Sequence, residues 1–358
     1  MAVVLVWLVT AAVVGAQVDA RTARRKAVVG ASAAFLVSVP GGLVCTAFCL
    51  AGVLIAALSP VATHPPRVLA RALVLVGLAC AFTVVRVDAV LWAVTAAVAW
   101  STVRDGRLFA VYHVPSVLLV VAGSAFPVPA ADVLVLLGVA IRAAAVPVQS
   151  WFPRFVERTP MGVVAAFLLP VGLVVPDTPL AAVVGAAAAV LGAVFAVVQV
   201  DGTRALAFLL VSANGVVLVD GARPAAVVAA TGLAMTVAAL TARRGALSLT
   251  VPAGDLARTP RLAVAYLGFG LALAGFPLLP GFADVHRLLD HPVPFVVAAL
   301  VVAVAVNGMT ALRGFLGLFA GQAAETGERD LTSLEHCAVA VTLSLLAVGG
   351  LVPGVTQW

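Results

Sequence analysis

The stretch from Leu137 to Pro160, LGVAIRAAAVPVQSWFPRFVERTP, places one charge and one strong helix breaker inside an otherwise apolar segment. The charge is Arg142, and a charged side chain at bilayer depth costs roughly 2.5–3.5 kcal/mol on insertion scales. The breaker is Pro147, which lacks a backbone N–H and would clash with the carbonyl of Ala143. We therefore expect the helix to kink or unwind here, and Arg142 to use the freed carbonyls. Such a break can line an ion path, or it can be only a packed kink.

Side chains that could carry protons are concentrated in the segment DVHRLLDH, the only cluster of histidines and acids in the chain. It begins with Asp284 and His286 and ends with Arg287, Asp290 and His291. Because histidine titrates near neutral pH, the segment could release protons near the outer face of a membrane. The alternative is a polar loop at the membrane interface.

Other polar and aromatic residues are expected to have structural roles. Three histidines are predicted at the ends of apolar spans, as interfacial residues: His64, His113 and His336. Trp151 is interpreted as an aromatic anchor at the interface. Asp201 and Arg204 are expected to pair on a short loop and start the next helix, since an acid near a helix N-terminus complements the helix dipole.

Composition excludes a soluble globular protein. Hydrophobic residues make up 63% of the chain and charged residues 10%, with a mean hydropathy of +1.19, whereas soluble domains carry about 25% charged residues. The apolar runs are continuous, which favours transmembrane helices over the alternating strands of a barrel. The net charge of +6 comes from arginines scattered between these runs, so it indicates loop topology and not nucleic-acid binding.

The chain termini and cysteines add no further chemistry at this level. The basic cluster near the N-terminus follows the first apolar run, the reverse of a cleavable signal peptide, so this run is expected to remain as the first helix. The four cysteines lie in or beside apolar spans and are interpreted as small hydrophobic residues: Cys45, Cys49, Cys80 and Cys337. Cys45 and Cys49 share a helix face, but no neighbouring histidine or carboxylate completes a metal site.

The number of spans depends on the second apolar run. The predicted spans are 2–19, 27–59, 68–86, 88–103, 108–126, 132–152, 160–176, 180–199, 204–219, 225–242, 260–283, 293–320 and 334–355. The run 27–59 is too long for one comfortable span, and Pro40-Gly41-Gly42 near its middle is a strong turn signal. Splitting it places nearly all basic loops on one side, as the positive-inside rule requires. We therefore predict fourteen helices with both ends outside.

A second proline-containing break indicates an internal repeat. The sixth span is interrupted at Pro147, and five spans later 260–283 is interrupted at GFPLLPGF, where Pro277 and Pro280 lie at mid-membrane depth. An odd separation makes the two broken helices run in opposite directions, which is typical of inverted repeats flanking a transport route. The alternative is that proline and glycine are simply common in membrane helices.

Four motifs in order resemble the antiporter-like, proton-conducting membrane subunits of respiratory complex I, membrane-bound hydrogenases and Mrp-type cation/proton antiporters. The first, K-x4-P-x-H-x-W-L-P-x6-P, is matched by Arg142, Pro147, Gln149, Trp151, Pro153 and Pro160. The second is matched by QVDGTRALA from Gln199, which includes Asp201 and Arg204, followed by Ser212 and Gly215. The third is GFPLLPGFAD at 275–284, and the last comprises Asp330-Leu331, Glu335 and Gly350-Leu351-Val352-Pro353.

The resemblance covers roughly residues 67–358 and implies an all-α fold of about fourteen transmembrane helices with two inverted five-helix repeats. The implied divisions are N-terminal helices at 1–66, a first repeat at 67–176, a second at 177–320, and a C-terminal loop and helix at 321–358. Other membrane subunits, the lipid bilayer and protons or Na⁺ are the implied partners, with no nucleic acid. The implied location is the bacterial cytoplasmic membrane.

The chain also departs from the family pattern at the residues that relay protons. Arg142 replaces the family's lysine, and arginine is not expected to lose its proton. The preceding helices offer no acid to pair with it, because DAVLWAVTAAVAW, two helices earlier, carries none beyond Asp88 at its end. Gln149 and Ala213 replace the motif histidines, and Thr203 replaces a lysine. A complete proton relay is therefore not expected, and Arg142 would act as a fixed charge.

Two functions remain open from the sequence. The first is an antiporter-like subunit of a respiratory or hydrogenase-type complex that contributes to proton or cation translocation, with Arg142, Pro147, Gln149, Asp284 and His286 on the ion pathway. The second is a degenerate, non-conducting scaffold that binds sibling subunits. Nucleotide, flavin, nicotinamide and iron–sulfur motifs are lacking, so no cofactor, metal or catalytic residue is predicted. Any redox chemistry would belong to other subunits.

Overall fold

The computed structural model describes residues 1–85, 87–250, 252, 254, 256–289, 291–321 and 329–352, without the side chains of residues 284, 285 and 288. This part of the chain contains seventeen α-helices. They are α1 (Ala2–Gly15), α2 (Ala20–Ser38), α3 (Leu43–Leu58), α4 (Pro66–Phe82), α5 (Asp88–Trp100), α6 (Gly106–Gly123), α7 (Ala130–Arg142), α8 (Phe152–Arg158), α9 (Met161–Leu168), α10 (Val171–Val174), α11 (Pro179–Val197), α12 (Gly202–Asp220), α13 (Pro224–Arg244), α14 (Pro260–Leu273), α15 (Pro280–Leu289), α16 (Pro294–Phe319) and α17 (Ser333–Leu351).

The outer surface of these helices is apolar, as lipid requires. Six helices are long and apolar enough to cross a membrane. Large aliphatic side chains point outward along them, among them Leu118 at 62% exposed and Met309 at 63%. Soluble proteins rarely expose contiguous apolar surface of this extent. The chain is therefore an integral membrane protein.

The long second apolar run folds as two helices. α2 ends at Ser38, a short 3-10 turn covers Val39–Gly41, and α3 begins at Leu43. Gly42 has a φ of +95°, which a residue with a Cβ adopts only under strain. The proline-glycine signal thus places a tight turn at the middle of the run.

Small residues allow the closest helix contacts. At the α11–α12 interface, a Cβ added to Gly215 would lie 2.3 Å from the backbone nitrogen of Ala189. A Cβ added to Gly192 would lie 2.6 Å from the nitrogen of Ser212, whose hydroxyl donates to the carbonyl of Ala189 at 2.8 Å. This packing of backbone on backbone replaces the hydrophobic effect, which does not act between helices in lipid. Ser212 and Gly215 from the second motif therefore hold these two helices together.

The closing motif binds the end of the chain to its beginning. Glu335, in the first turn of α17, is 4% exposed and pairs with Arg24 of α2 at 2.9 Å and with Arg243 of α13 at 3.0 Å. It also completes a capping box with Thr332. Asp330 accepts hydrogen bonds from the first backbone nitrogens of α14. One carboxylate thus connects three helices that are remote in sequence.

Replacement of this carboxylate should lower stability. Glu335→Gln removes the counter-charge of two partly buried guanidinium groups, and breaking a buried ion pair costs about 3–5 kcal/mol. We expect a clear fall in the thermal unfolding temperature of the protein in detergent. Glu157→Gln is the matched control, because Glu157 pairs with Arg204 at an exposed site, where such pairs contribute about 0–1 kcal/mol. Equal effects of the two changes would contradict this role of Glu335.

Candidate functional site

The first helix break follows Arg142 directly. α7 ends at Arg142, and the chain leaves the helical conformation at Ala144, which has a φ of +55°. It passes Pro147 and re-forms a 3-10 turn at Gln149–Trp151, followed by α8. Pro147 is exposed, and the Oε1 atom of Gln149 is buried without a hydrogen-bond partner. The break therefore leaves the last carbonyls of α7 to find other donors.

Two further interruptions occur in the second half of long apolar runs. α14 ends at Leu273, and the chain passes Pro277 and Leu278 before α15 begins at Pro280. α17 packs on this second break, since a Cβ on Gly350 would lie 2.3 Å from the carbonyl oxygen of Leu278. The sequence did not indicate the third interruption, at 169–170, which separates α9 from α10 where a single uninterrupted span was predicted.

Arg142 is fully enclosed between helices. Its Nε and Nη2 atoms both donate to the carbonyl oxygen of Phe167, at 3.1 and 2.6 Å, and Nη1 donates to the hydroxyl of Thr95 at 2.8 Å. The guanidinium lies over the ring of Phe167 at 3.8 Å from its centroid and over that of Trp92 at 4.2 Å. The side chain is 1% exposed. A backbone carbonyl, a hydroxyl and two aromatic faces thus replace its hydration shell.

The charge is compensated by two helix ends and not by an acid. Arg142 occupies the last turn of α7, and Phe167 lies next to the end of α9. Helix C-termini carry a partial negative charge and favour cations, and cation–π contacts add about 2 kcal/mol when desolvated. No carboxylate among the described residues forms an ion pair with Arg142. α5 supplies the uncharged partners Trp92 and Thr95.

Two residues predicted at the membrane interface lie instead beside this buried site. Trp151 is 1% exposed, and its Nε1 atom donates to the carbonyl of Ile141 at 3.2 Å, which also accepts from the backbone nitrogen of Ala144 at 3.1 Å. His113 is 3% exposed and packs against the rings of Trp151 and Phe167, at centroid distances of 4.5 and 5.0 Å. Neither side chain is exposed, so both interfacial assignments are wrong. Trp151 donates a hydrogen bond to the end of α7, and His113 fills the space between the aromatic rings.

Buried neutral polar side chains lie on two different faces of α12. Asn214 of α12 donates to the carbonyl of Ala143 at 2.9 Å. Two residues away, Ser212 accepts a hydrogen bond of 2.8 Å from Asn307 of α16. Asn307 is 4% exposed, and its Oδ1 atom has no partner. Sequence reasoning missed both asparagines, although an amide inside an apolar helix is itself a signal, since its burial is costly.

A small cavity lies beside Asn214. It has a volume of about 50 Å³ and lies between α9, α10, α12 and α13, with Asn214 and Thr231 among its lining residues. A water molecule needs about 10–15 Å³ by this measure, so the cavity has room for a few waters. The remaining lining is mostly aliphatic. The site therefore combines one fixed cation, two amides and space for water.

The predicted cluster after the second break does not join this site. His286 is exposed and stacks on Phe282 at 5.8 Å, and His291 accepts a hydrogen bond from the nitrogen of Val293 in its own loop. The side chain of Asp284 and the whole of Asp290 lie outside the described residues. The described contacts of Arg142 come from α5 and α9, with none from α15.

The remaining motif residues begin or join helices. Pro153 lies in the first turn of α8, and Pro160 precedes α9 as its N-cap. Asp201 caps α12 by accepting from the backbone nitrogen of Arg204 at 2.9 Å. The Arg204 side chain does not pair with Asp201 as expected. It reaches Glu157 of α8 instead, because the carboxylate of Asp201 is already used by the helix end.

His64, in the loop between α3 and α4, holds the other end of α9. Its Nε2 atom accepts a hydrogen bond of 3.1 Å from the nitrogen of Gly162, in the first turn of α9. Burial lowers the pKa of His64 from 6.5 to about 4. His64 is thus a buried, neutral imidazole that caps α9. The helix whose far end meets Arg142 is fixed at its start by an imidazole.

The fold and site define a polytopic membrane protein with a buried fixed cation at an interrupted helix. No protein-family model matches the sequence, and no curated protein sequence matches it. A chain of respiratory complex I from Thermus thermophilus with bound NADH is 20% identical, with a TM-score of 0.85 over 99% of this chain and 96% of that one. The fold is therefore shared with a chain of a respiratory complex.

Two other solved structures share the fold. A chain of the Mrp complex from a Dietzia species is 17% identical, with a TM-score of 0.73 over 98% of this chain and 90% of that one. A chain of a membrane-bound sulfane sulfur reductase, an archaeal respiratory membrane complex, is 15% identical, with a TM-score of 0.78 over 98% and 76%. The resemblance to antiporter-like subunits drawn from the motifs is confirmed at the level of fold.

Removal of the hydroxyl that binds Arg142 should destabilise the protein. Thr95→Val leaves a buried guanidinium donor without its acceptor, which costs about 1–3 kcal/mol. We expect a lower thermal unfolding temperature in detergent. Thr342→Val is the matched control, because the Thr342 hydroxyl is equally buried but bonds only within its own helix, to the carbonyl of Ala338. If Thr95→Val has no larger effect than Thr342→Val, the Thr95 contact contributes nothing.

Stability should depend on pH through His64. Its folded pKa of about 4 lies below the unfolded value of 6.5, so between these values the unfolded chain binds the additional proton. The contribution of His64 is complete above pH 6.5 and is lost as the pH falls towards 4. Unfolding temperatures measured across this range should therefore rise with pH, and His64→Gln, which keeps an acceptor, should flatten the rise. An unchanged slope in His64→Gln would contradict this assignment.

Proposed function

We propose that this chain is an antiporter-like integral membrane subunit of a multi-subunit respiratory or hydrogenase-type complex, and that it contributes to proton or cation translocation. The observation that carries the proposal is the buried cation at the end of an interrupted helix, where Asn214 bonds to the carbonyl of Ala143 and lines a cavity with room for a few waters. A fold shared with chains of respiratory and Mrp complexes supports the assignment to such a complex. The partners are then sibling membrane subunits.

The proposed topology has fourteen crossings. If each interrupted pair forms one crossing, α7 with α8, α9 with α10 and α14 with α15, the seventeen described helices make fourteen. An even number places both termini on the same side, and the basic loops favour the outer side for them. The crossings interrupted at Pro147 and at Pro277–Pro280 are then each the fourth of five, in 67–176 and in 177–320, and the two run in opposite directions, as inverted repeats require.

Arg142 is proposed to act as a fixed charge. Arginine keeps its proton, and every described contact of this guanidinium holds it in place. A proton could instead pass along water and amides near Asn214, with Arg142 setting the electrostatic barrier. At an effective dielectric constant of about 20, a unit charge roughly 7 Å away changes the energy of an ion by about 2 kcal/mol. This corresponds to about thirtyfold in rate.

The second candidate is a scaffold that binds sibling subunits without conducting. The observation that favours it is the closure of the guanidinium between the rings of Trp92 and Phe167, with no titratable partner among its described contacts. The cavity, the two amides and the intact helix breaks favour conduction. The two functions differ in the effect that the Arg142 charge has on ion flux.

Flux measurements on the assembled complex distinguish them. An affinity tag on this chain isolates the complex from membranes, and an imposed Na⁺ or pH gradient drives coupled flux in liposomes that contain a pH-sensitive dye. Arg142→Ala removes a positive charge that repels the passing cation, so it should raise this flux by about thirtyfold, and Arg142→Lys, which keeps a charge, should stay close to the flux of the unchanged complex. The result requires that Arg142→Ala complexes contain all subunits, as judged by gel and mass spectrometry.

Arg313→Ala is the matched control for these measurements. Arg313 of α16 also donates to two backbone carbonyls, those of Val197 and Gln199 at the end of α11, but it lies away from the break. Its loss should leave flux unchanged. Unchanged flux in an intact Arg142→Ala complex would remove Arg142 from the pathway and leave the scaffold function.

A further inference from the structure

Three cysteines that are distant in sequence converge inside the N-terminal helices. Cys45 and Cys49 lie on successive turns of α3, and Cys80 lies near the end of α4. Their three sulfur atoms all lie within 4.8 Å of one another, and those of Cys49 and Cys80 are 3.7 Å apart. All three residues are buried, whereas Cys337, on α17, is exposed. The spacing of Cys45 and Cys49 in the sequence could not indicate Cys80. Its thiol, on a second helix, completes a cluster of three sulfur atoms.

We propose that these three thiols form a binding site for a soft, thiophilic cation, and that Cu(I) is the ion that fits it best. Metal–sulfur bonds of about 2.3 Å in a trigonal arrangement place the sulfur atoms about 4.0 Å apart. The observed separations, 3.7 Å for one pair and none above 4.8 Å, lie close to this value. Only small side-chain adjustments would be needed to close the site.

The number and type of donors select Cu(I) over other ions. Thiolates are soft ligands that favour Cu(I), Zn²⁺ and iron–sulfur clusters. Structural Zn²⁺ is almost always four-coordinate, and cubane or rhombic iron–sulfur clusters are usually held by four cysteines. The group found among the described residues contains three sulfur atoms and neither a histidine nor a carboxylate. Three-coordination by sulfur is an ordinary geometry for Cu(I).

The surroundings favour the thiolate form and give access from outside. Cys45 lies in the first turn of α3, where the positive end of the helix dipole stabilises a thiolate anion. The indole nitrogen of Trp7 donates to the sulfur of Cys49 at 3.4 Å, an outer-shell contact that orients a ligand. The exposed turn at 39–42 lies directly above, since a Cβ on Gly41 would be 4.0 Å from the Cys45 sulfur. An ion can therefore enter through this turn, with release of the thiol protons.

This site is independent of the proposed ion path. It lies among α1, α3 and α4, and none of its three ligands or Trp7 contacts Arg142 in the described structure. Loss of copper binding and loss of ion flux are therefore separate outcomes. In the proposed topology the turn at 39–42 faces outside, so a copper ion would reach the site from outside the cell.

Copper titration of the reduced, full-length protein in detergent tests the site. Cu(I) is added in the presence of a chromophoric Cu(I) chelator, and bound metal is counted after gel filtration. We expect one Cu(I) per chain. Cys45→Ser, Cys49→Ser and Cys80→Ser should each weaken binding by more than the roughly 10–100-fold that loss of an outer-shell partner costs. Trp7→Phe should fall within that smaller range, and the exposed-thiol control Cys337→Ser should bind as the unchanged chain does.

X-ray absorption on the copper-loaded, unchanged chain provides a second measurement that does not depend on variants folding. Three sulfur neighbours at about 2.3 Å are expected. Two sulfur neighbours, or nitrogen and oxygen ligands, would overturn the proposal. The proposal would also be overturned if the chelator removed all the copper from the protein, or if a folded Cys80→Ser variant bound copper with full affinity.

Discussion

The structure depends on how one buried guanidinium is held with no carboxylate bonded to it among the described residues. Arg142 lies where the C-terminal ends of α7 and α9 meet, and both ends carry a partial negative charge. The end of α9 also offers the carbonyl of Phe167, which a continuous helix would use for its own hydrogen bond. The two helix ends thus stabilise the cation, and the cation satisfies the carbonyl of Phe167. A neutral residue at this position would leave the carbonyl of Phe167 without a donor.

This mutual dependence explains which other residues are needed. Trp151 serves the carbonyl of Ile141, one residue before Arg142, and Asn214 serves that of Ala143, one residue after it. The carbonyl of Ile141, the guanidinium of Arg142 and the carbonyl of Ala143 thus each have a hydrogen-bond partner from a different part of the chain. The N-terminus of α9 is fixed by His64, so the carbonyl that receives Arg142 is positioned by a helix held at its start. The arrangement is rigid, which suits a fixed charge better than a relay.

Much of this could be predicted from the sequence, and the limits have physical causes. Arg142 beside Pro147 predicted a broken helix with a buried charge, and Pro277 and Pro280 predicted a second break, because proline acts locally on its own helix. The partners could not be predicted, because Phe167 and Thr95 lie 25 and 47 positions away and their roles depend on helix packing. Trp151 was assigned to the interface from its residue type alone. The cluster formed with Cys80 likewise appears only when α3 and α4 are side by side.

The ion pair that links Arg24 to Glu335 spans 311 positions of the chain. During synthesis, α2 and α13 must enter the bilayer long before α17 exists, so Arg24 and Arg243 first approach each other as like charges. Before α17 is inserted, Glu335 cannot offset this repulsion. Insertion of α17 places one carboxylate between the two guanidinium groups and reverses the sign of the interaction, so a helix encoded late in the chain joins two that are encoded earlier.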